Sequence, residues 1–163
     1  STIKSMAEFV ESKGGKPSAA AFFEEVRALQ VTKVFDHKIR LYAVLEALFG
    51  SSMDAKGLSD KSKLVDKFIT NGSLETPDVL WAFDAYVEAN KGWEASKRFP
   101  PVVKAVYDEE WCTEKGILSY YNDDEGEGQP GFDKAKAAAK PFLTWLAQDD
   151  GSDSDSGSDD DSD

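Results

Sequence analysis

The chain has 163 residues, 40% of them hydrophobic, with a formal net charge of -12, which is enough for one domain with a real core. Its single cysteine, Cys112, excludes an internal disulfide and fits a reducing, cytoplasmic setting. No apolar run approaches the roughly 20 residues of a membrane span, no signal peptide is visible, and a negative chain of this kind is a poor direct ligand for phosphates.

The periodicity is helical almost throughout. The chain opens on Ser1-Thr2-Ile3 without Met and with helical patterning at once, so it reads as a domain cut from a longer protein. Ile3, Met6, Phe9 and Val10 share a face, predicting a helix over residues 3–12 that Gly14-Gly15 ends. Pro17 suits the first turn of the next helix, over 17–30, with Ala19, Phe22, Phe23, Val26 and Leu29 inward. A third stripe, Val34, Phe35, Ile39, Tyr42, Leu45, Leu48 and Phe49, predicts a helix over 33–49 closed by Gly50.

Residues 50–58 read as a loop, and Ser59 or Asp60 as the cap of a helix running to about 71, with Leu64, Val65, Phe68 and Ile69 inward. Thr76-Pro77-Asp78 is a start signal: a capping hydroxyl, proline at the first helical position and an acid in the first turn. The helix after it, about 77–90, carries Trp81 as a core residue. Pro100-Pro101 is expected to break the chain, with a helix resuming through Val102, Val103, Val106 and Tyr107. Ile117, Leu118 and Tyr121 give a short helix up to Asn122, and residues 123–131 read as an acidic loop. A last helix is expected over 132–147, with Pro141 kinking or breaking it.

The charge is unevenly placed. Residues 1–100 carry 14 basic and 14 acidic side chains, and residues 101–163 carry 5 and 17. Residues 149–163 contain eight Asp and no apolar or basic side chain, which describes a disordered acidic tail after a folded domain over 1–148. Ser152, Ser156 and Ser158 each have Asp three residues on, the spacing an acid-directed kinase of the casein kinase 2 type uses. Each phosphate would add about -1.5 to -2 charges. No period-2 strand pattern stands out. The fold class is therefore all-α: about eight helices joined by short loops, stacked or irregularly bundled.

Signs of catalysis are missing. His37 has no second histidine to share a metal. Cys112 lacks a base nearby in sequence. Gly14-Gly15-Lys16-Pro17-Ser18 lacks the spacing and the preceding strand of a phosphate loop. No catalytic residue, metal or cofactor is expected. Two features stand above that background. One is the pairing of aromatics with acids in Tyr107-Asp108-Glu109-Glu110-Trp111 and again from Phe142 and Trp145 to Asp149 and Asp150. Rigid rings offer contact area, and carboxylates beside them attract Lys or Arg. The other is a basic group, Lys56, Lys61, Lys63 and Lys67, read either as a second surface or as a solvated helix face.

These two acidic segments resemble the aromatic-acidic boxes of a known family. Val106-Tyr107-Asp108-Glu109-Glu110, with Ile117-Leu118 and Tyr120-Tyr121, resembles the first box of the C-terminal domain of eukaryotic translation initiation factor five. Lys140-Pro141-Phe142-Leu143-Thr144-Trp145-Leu146 with the acids after it resembles the second. The sequence departs from the pattern at Thr113-Glu114-Lys115, where three acids are usual, at Tyr120, where Trp is usual, and at Trp111, usually aliphatic. The family is shared with the epsilon subunit of the exchange factor for initiation factor two and with regulatory mimics of factor five.

The resemblance implies an α-α superhelix of HEAT-like antiparallel helix pairs and a scaffold role in the preinitiation complex. It implies binding of the lysine-rich tail of initiation factor two beta, and contacts with initiation factor three (subunit c), initiation factor one and initiation factor four G. By position it implicates Tyr107, Asp108, Glu110, Glu114, Tyr120, Tyr121, Phe142, Trp145, Asp149 and Asp150, and Glu109 lies among them. Several of the aromatics are expected to shape the surface from the core. GTPase activation would belong to an N-terminal domain outside this chain. The alternatives are a nucleotide-exchange domain of the epsilon type, a regulatory mimic, or an adaptor unrelated to translation.

Overall fold

The computed structural model describes residues 2–32 and 36–153, with side chains placed for 2–29 and 36–148. Among the described residues all regular structure is helical, in nine helices: α1 Thr2–Ser12, α2 Ala19–Thr32, α3 His37–Phe49, α4 Ala55–Asp60, α5 Ser62–Asn71, α6 Thr76–Ala89, α7 Ala95–Asp108, α8 Glu114–Tyr121 and α9 Phe132–Asp153. None of them is long and apolar enough to cross a membrane.

Two strings of helices make the stack. In one, α1 packs on α3, α3 on α6 and α6 on α9. In the other, α2 packs on α5, α5 on α4 and α4 on α7, and α7 closes onto α9. Contacts of α1 with α2 and of α3 with α5 cross between the strings, and α8 fills the corner between α6 and α9. This is the arrangement of a HEAT-like superhelix of helix pairs. The expected stripes supply most of its core: Met6, Phe22, Val26, Leu45, Val65, Phe68, Val79, Leu80, Val102 and Leu146 are all at most 1% exposed, but α3 turns a different face inward, burying Leu41 and Val44 and leaving the expected Ile39 38% exposed.

The helix starts show where local chemistry departs from the simplest sequence pattern. Pro17 lies before α2 rather than in its first turn: the helix starts at Ala19, with the Ser18 hydroxyl capping it by accepting from the Ala21 N–H at 3.1 Å. Asp36 caps α3 by accepting from the Ile39 N–H at 3.0 Å, while Val34 and Phe35 lie outside the described residues. The expected loop over 50–58 contains the start of α4, because Asp54 accepts from the Gly57 N–H at 2.7 Å and opens a helix at Ala55. The single helix expected from Ser59 or Asp60 is therefore two, parted at Lys61.

Glu75 rather than Thr76 stands at the cap of α6. Its N–H donates to Asp78 at 3.2 Å, and the Thr76 hydroxyl is turned instead to the Thr113 N–H at 3.1 Å. Pro100 and Pro101 do not break the chain but lie inside α7. Each lacks an N–H to give the helix. The helical path is held by burial of Phe99, Val102, Val103 and Val106, on a helix packed against α4 and α9. α8 begins at Glu114, capped by Thr113, three residues before the expected Ile117. α9 continues through Pro141 and past residue 148 to Asp153.

Two large polar aromatics lock the α3–α4 connection. The Tyr86 hydroxyl donates to Gly50 O at 2.6 Å and accepts from the Met53 N–H at 3.3 Å. The Trp93 indole donates to Met53 O at 2.8 Å, edge-on to the Tyr86 ring. Tyr86→Phe leaves the buried Met53 N–H without its acceptor. It is expected to cost about 1–3 kcal/mol in a denaturant titration without altering the helical circular dichroism of the native protein.

Candidate functional site

α7 ends in acid. Asp108 is its last residue, Glu109 its C-cap, and Glu110 turns the chain at φ 65, its N–H donating to Tyr107 O at 3.0 Å. All three carboxylates are exposed. The last turn of α7 has no basic residue, so its negative helix end adds to the carboxylates instead of being offset. Lys104, one turn back, pairs with Asp108 at 2.8 Å. Both side chains are more than half exposed, and such a pair contributes little.

α9 brings the second aromatic segment to this spot. The Phe142 ring lies 6.1 Å from the Tyr107 ring, and the Trp145 ring 5.6 Å from Phe142. Phe142 is 5% exposed and Trp145 is 44% exposed. A path of rings thus runs from half-buried Tyr107 on α7 through the core to an open indole on α9. Beside it Tyr107, Asp108, Glu110, Cys112 and Thr113 line a concavity of about 440 Å³. The structure therefore joins Tyr107, Asp108, Glu110, Phe142 and Trp145, with Glu109 at the rim. The backbone of Asp149 and Asp150 continues α9 beyond Trp145, and their side chains lie outside the described residues.

The other aromatics named by the sequence face inward. Trp111 is 6% exposed, and its indole donates to Asp66 Oδ1 at 3.0 Å, tying the turn after α7 to α5. Tyr120 and Tyr121 are 3% and 0% exposed. Their rings pack on Phe132 at 5.7 and 5.8 Å, and the Tyr121 hydroxyl donates to Asp84 Oδ1 at 2.5 Å. They hold α8 behind the acidic rim and present no surface to a partner. Glu114 is half-buried in the first turn of α8, where a carboxylate suits the helix start. Burial pushes the Cys112 thiol up, so it stays protonated and unreactive.

The four lysines of the expected basic group lie on α4, on α5 and at the residue between them. Lys56 pairs with Asp60 at 3.1 Å, and Lys67 lies 5.9 Å over the Phe23 ring. Lys61 donates to Gly15 O at 3.5 Å. Lys61 and Lys63, with Lys16 from the α1–α2 turn, line a separate concavity of about 510 Å³. Lys16 is not one of the four lysines of the expected basic group. The backbone of Ser152 is in α9, its side chain is not described, and Ser156 and Ser158 lie outside the described residues.

Three comparisons bear on this arrangement. Residues 75–156, which contain both aromatic-acidic segments, match the family described as W2: eIF4-gamma/eIF5/eIF2-epsilon. A relative, eukaryotic translation initiation factor 5 of Zea mays, is 28% identical over 128 residues, covering 75% of this chain and 27% of the relative. The chain thus spans about a quarter of that relative's length. A solved structure, the C-terminal domain of translation initiation factor 5 at low pH, superposes with a TM-score of 0.65 at 16% identity over 94% of each chain, a likeness of fold.

Proposed function

The chain belongs to the W2 family of eIF4-gamma, eIF5 and eIF2-epsilon, and on that premise we propose that it is a protein-docking domain of translation initiation that receives a lysine-rich partner segment. One observation carries the reading: an exposed Trp145 continues a buried ring path to Tyr107, beside three exposed carboxylates on a helix end with no cation in its last turn. An extended cationic segment can lay its alkyl stems on the rings and its ammonium groups against Asp108, Glu109 and Glu110. Asp149 and Asp150 would extend the same field, and phosphates on Ser152, Ser156 and Ser158, added by a casein kinase 2-type enzyme, would deepen it.

The partner is the lysine-rich tail of initiation factor two beta. The family resemblance supports further contacts with initiation factor three (subunit c), initiation factor one and initiation factor four G, in the cytoplasm. The lysine concavity at Lys16, Lys61 and Lys63 is a candidate second surface for one of these. GTPase activation is assigned to a part of the parent protein outside this chain.

The test is a titration with a lysine-rich peptide at two salt concentrations. Asp108→Lys combined with Glu110→Lys is expected to weaken binding about ten- to a hundredfold, chiefly through the association rate, with the thermal midpoint little changed. Raising ionic strength from 0.15 to 1 M shortens screening from about 8 to about 3 Å and is expected to weaken the unsubstituted protein similarly. Affinity indifferent to both changes would discard the acidic-surface reading. Acceleration of GDP release from initiation factor two by this chain alone would transfer it to the exchange-factor reading.

A further inference from the structure

Asp84 is the one acid with no exposed surface among the described residues. It sits on α6, where three elements meet. Tyr121 of α8 donates to its Oδ1 at 2.5 Å. The turn into α9 rests on its backbone: a Cβ added to Gly131 would lie 2.0 Å from Asp84 O. The start of α8 is pinned to α6 separately, through the Thr113 N–H on the Thr76 hydroxyl. Two buried polar atoms at this node have no partner, Asp84 Oδ2 and the Tyr120 hydroxyl.

Among the described residues no cation pairs with the carboxyl. From α8 it faces Tyr120 and Tyr121, and from the turn before α8 it feels Cys112. Asp78, on its own helix, acts on Tyr120. The charged groups by which α3 meets α6, Lys38 and Glu46, do so at Trp81 and Asn90. Around the start of α9, Lys136 is engaged by Asp124, Asp133 is exposed, and Glu88 lies by Gly131. An isolated carboxylate in such a place is costly, and an unpartnered one more so. Burial accordingly holds the Asp84 carboxyl well above its ordinary range, with the Tyr121 hydrogen bond offsetting only part.

We propose that the Asp84–Tyr121–Tyr120 node is a proton-operated clamp: with Asp84 neutral it holds α8 and the turn into α9 against α6, and with Asp84 ionised it loosens them. Ionisation sends the proton to solvent and leaves an anion whose second oxygen needs a donor. The Tyr120 hydroxyl, which like Oδ2 has no hydrogen-bond partner here, stands beside Tyr121 on α8 and is the donor we assign to it; formation of that bond is the movement of α8 the clamp predicts. The folded carboxyl binds its proton more tightly than the unfolded one, whose pKa is about 3.9. The clamp's stabilisation is therefore complete below that value and is lost as pH rises through the folded value.

The experiment uses the whole chain. The Asp84 carboxyl carbon is titrated by NMR, and urea midpoints and α8 amide exchange are followed across the same pH range in the unsubstituted protein, Asp84→Asn and Tyr120→Phe. The expected result is an Asp84 titration above that of the surface carboxylates, moved further upward by Tyr120→Phe. Amide exchange in α8 should quicken by up to about tenfold per pH unit beyond its intrinsic rise. Asp84→Asn should abolish that excess and flatten the midpoint profile. An Asp84 titration coincident with the surface acids, or an Asp84→Asn profile as steep as the original, overturns the proposal. Should Asp84→Asn fail to fold, the titration of the unsubstituted chain decides alone.

Discussion

Gly131→Ala is expected to be the most damaging single-methyl change in this protein, costing about 3–5 kcal/mol. Two effects combine. Gly131 has φ 75, in the left-handed region that an alanine occupies only with strain. The added Cβ would also stand 2.0 Å from Asp84 O and 2.7 Å from Asp84 C, both main-chain atoms inside α6 that no rotamer change can move. Either α9 must slide away from α6 or the turn must unwind, and both uncover Phe132 and the two tyrosines packed on it. A urea titration of Gly131→Ala measures the loss directly. Alanine at Gly128 is the control, since that residue also has positive φ but open space around it, and strain alone should cost about 1–2 kcal/mol there. Equal losses at the two positions would refute the close-packing account.

The second large effect separates two tryptophans that look alike in the sequence. Trp111→Ala is expected to cost about 3–5 kcal/mol, because a side chain only 6% exposed leaves a cavity and Asp66 loses its indole donor. Trp145→Ala should change stability by less than about 1 kcal/mol, since the indole is 44% exposed and rests mainly on Phe142. For binding the order reverses. At a temperature where both variants are folded, Trp145→Ala should weaken the lysine-rich peptide about tenfold or more, as loss of an aromatic anchor does. Trp111→Ala should bind within about threefold of the original once its folded fraction is counted. Thermal melts paired with peptide titrations of the two variants decide it. The assignment of Trp145 as the contacting ring fails if its removal leaves affinity intact.

Much of the scaffold could be read directly because apolar periodicity reports the buried face of a helix. Met6 and Val10, Phe22, Phe23 and Val26, and Leu64, Val65, Phe68 and Ile69 are all buried as their spacing requires. α4 escaped because Gly57 interrupts its pattern and only the Asp54 cap reveals it. The proline pair misled for a related reason: a local penalty of a few kcal/mol is outweighed when the same helix buries Phe99 and three valines. Composition can place rings next to acids, but it does not say which ring turns outward. Trp111 lies in a turn, where helical phase gives no direction, while Trp145 lies on α9 one turn from Phe142. Asp84 was invisible for a different reason. A lone acid inside Leu80-Trp81-Ala82-Phe83-Asp84-Ala85-Tyr86-Val87 is assigned to solvent by default, and only Tyr121, 37 residues away, reveals otherwise.

At the opposite end of the stack Arg40 is 3% exposed, its guanidinium lying 5.0 Å from the Phe23 ring and 5.3 Å from the Phe68 ring. Desolvation draws its proton affinity down, but a guanidinium remains charged at every pH a protein survives. The join of α2, α3 and α5 is thus riveted by a group deaf to acidity, whereas the far corner answers to it. Alkali should therefore fray this protein from its C-terminal helices inward and leave the N-terminal half standing longest.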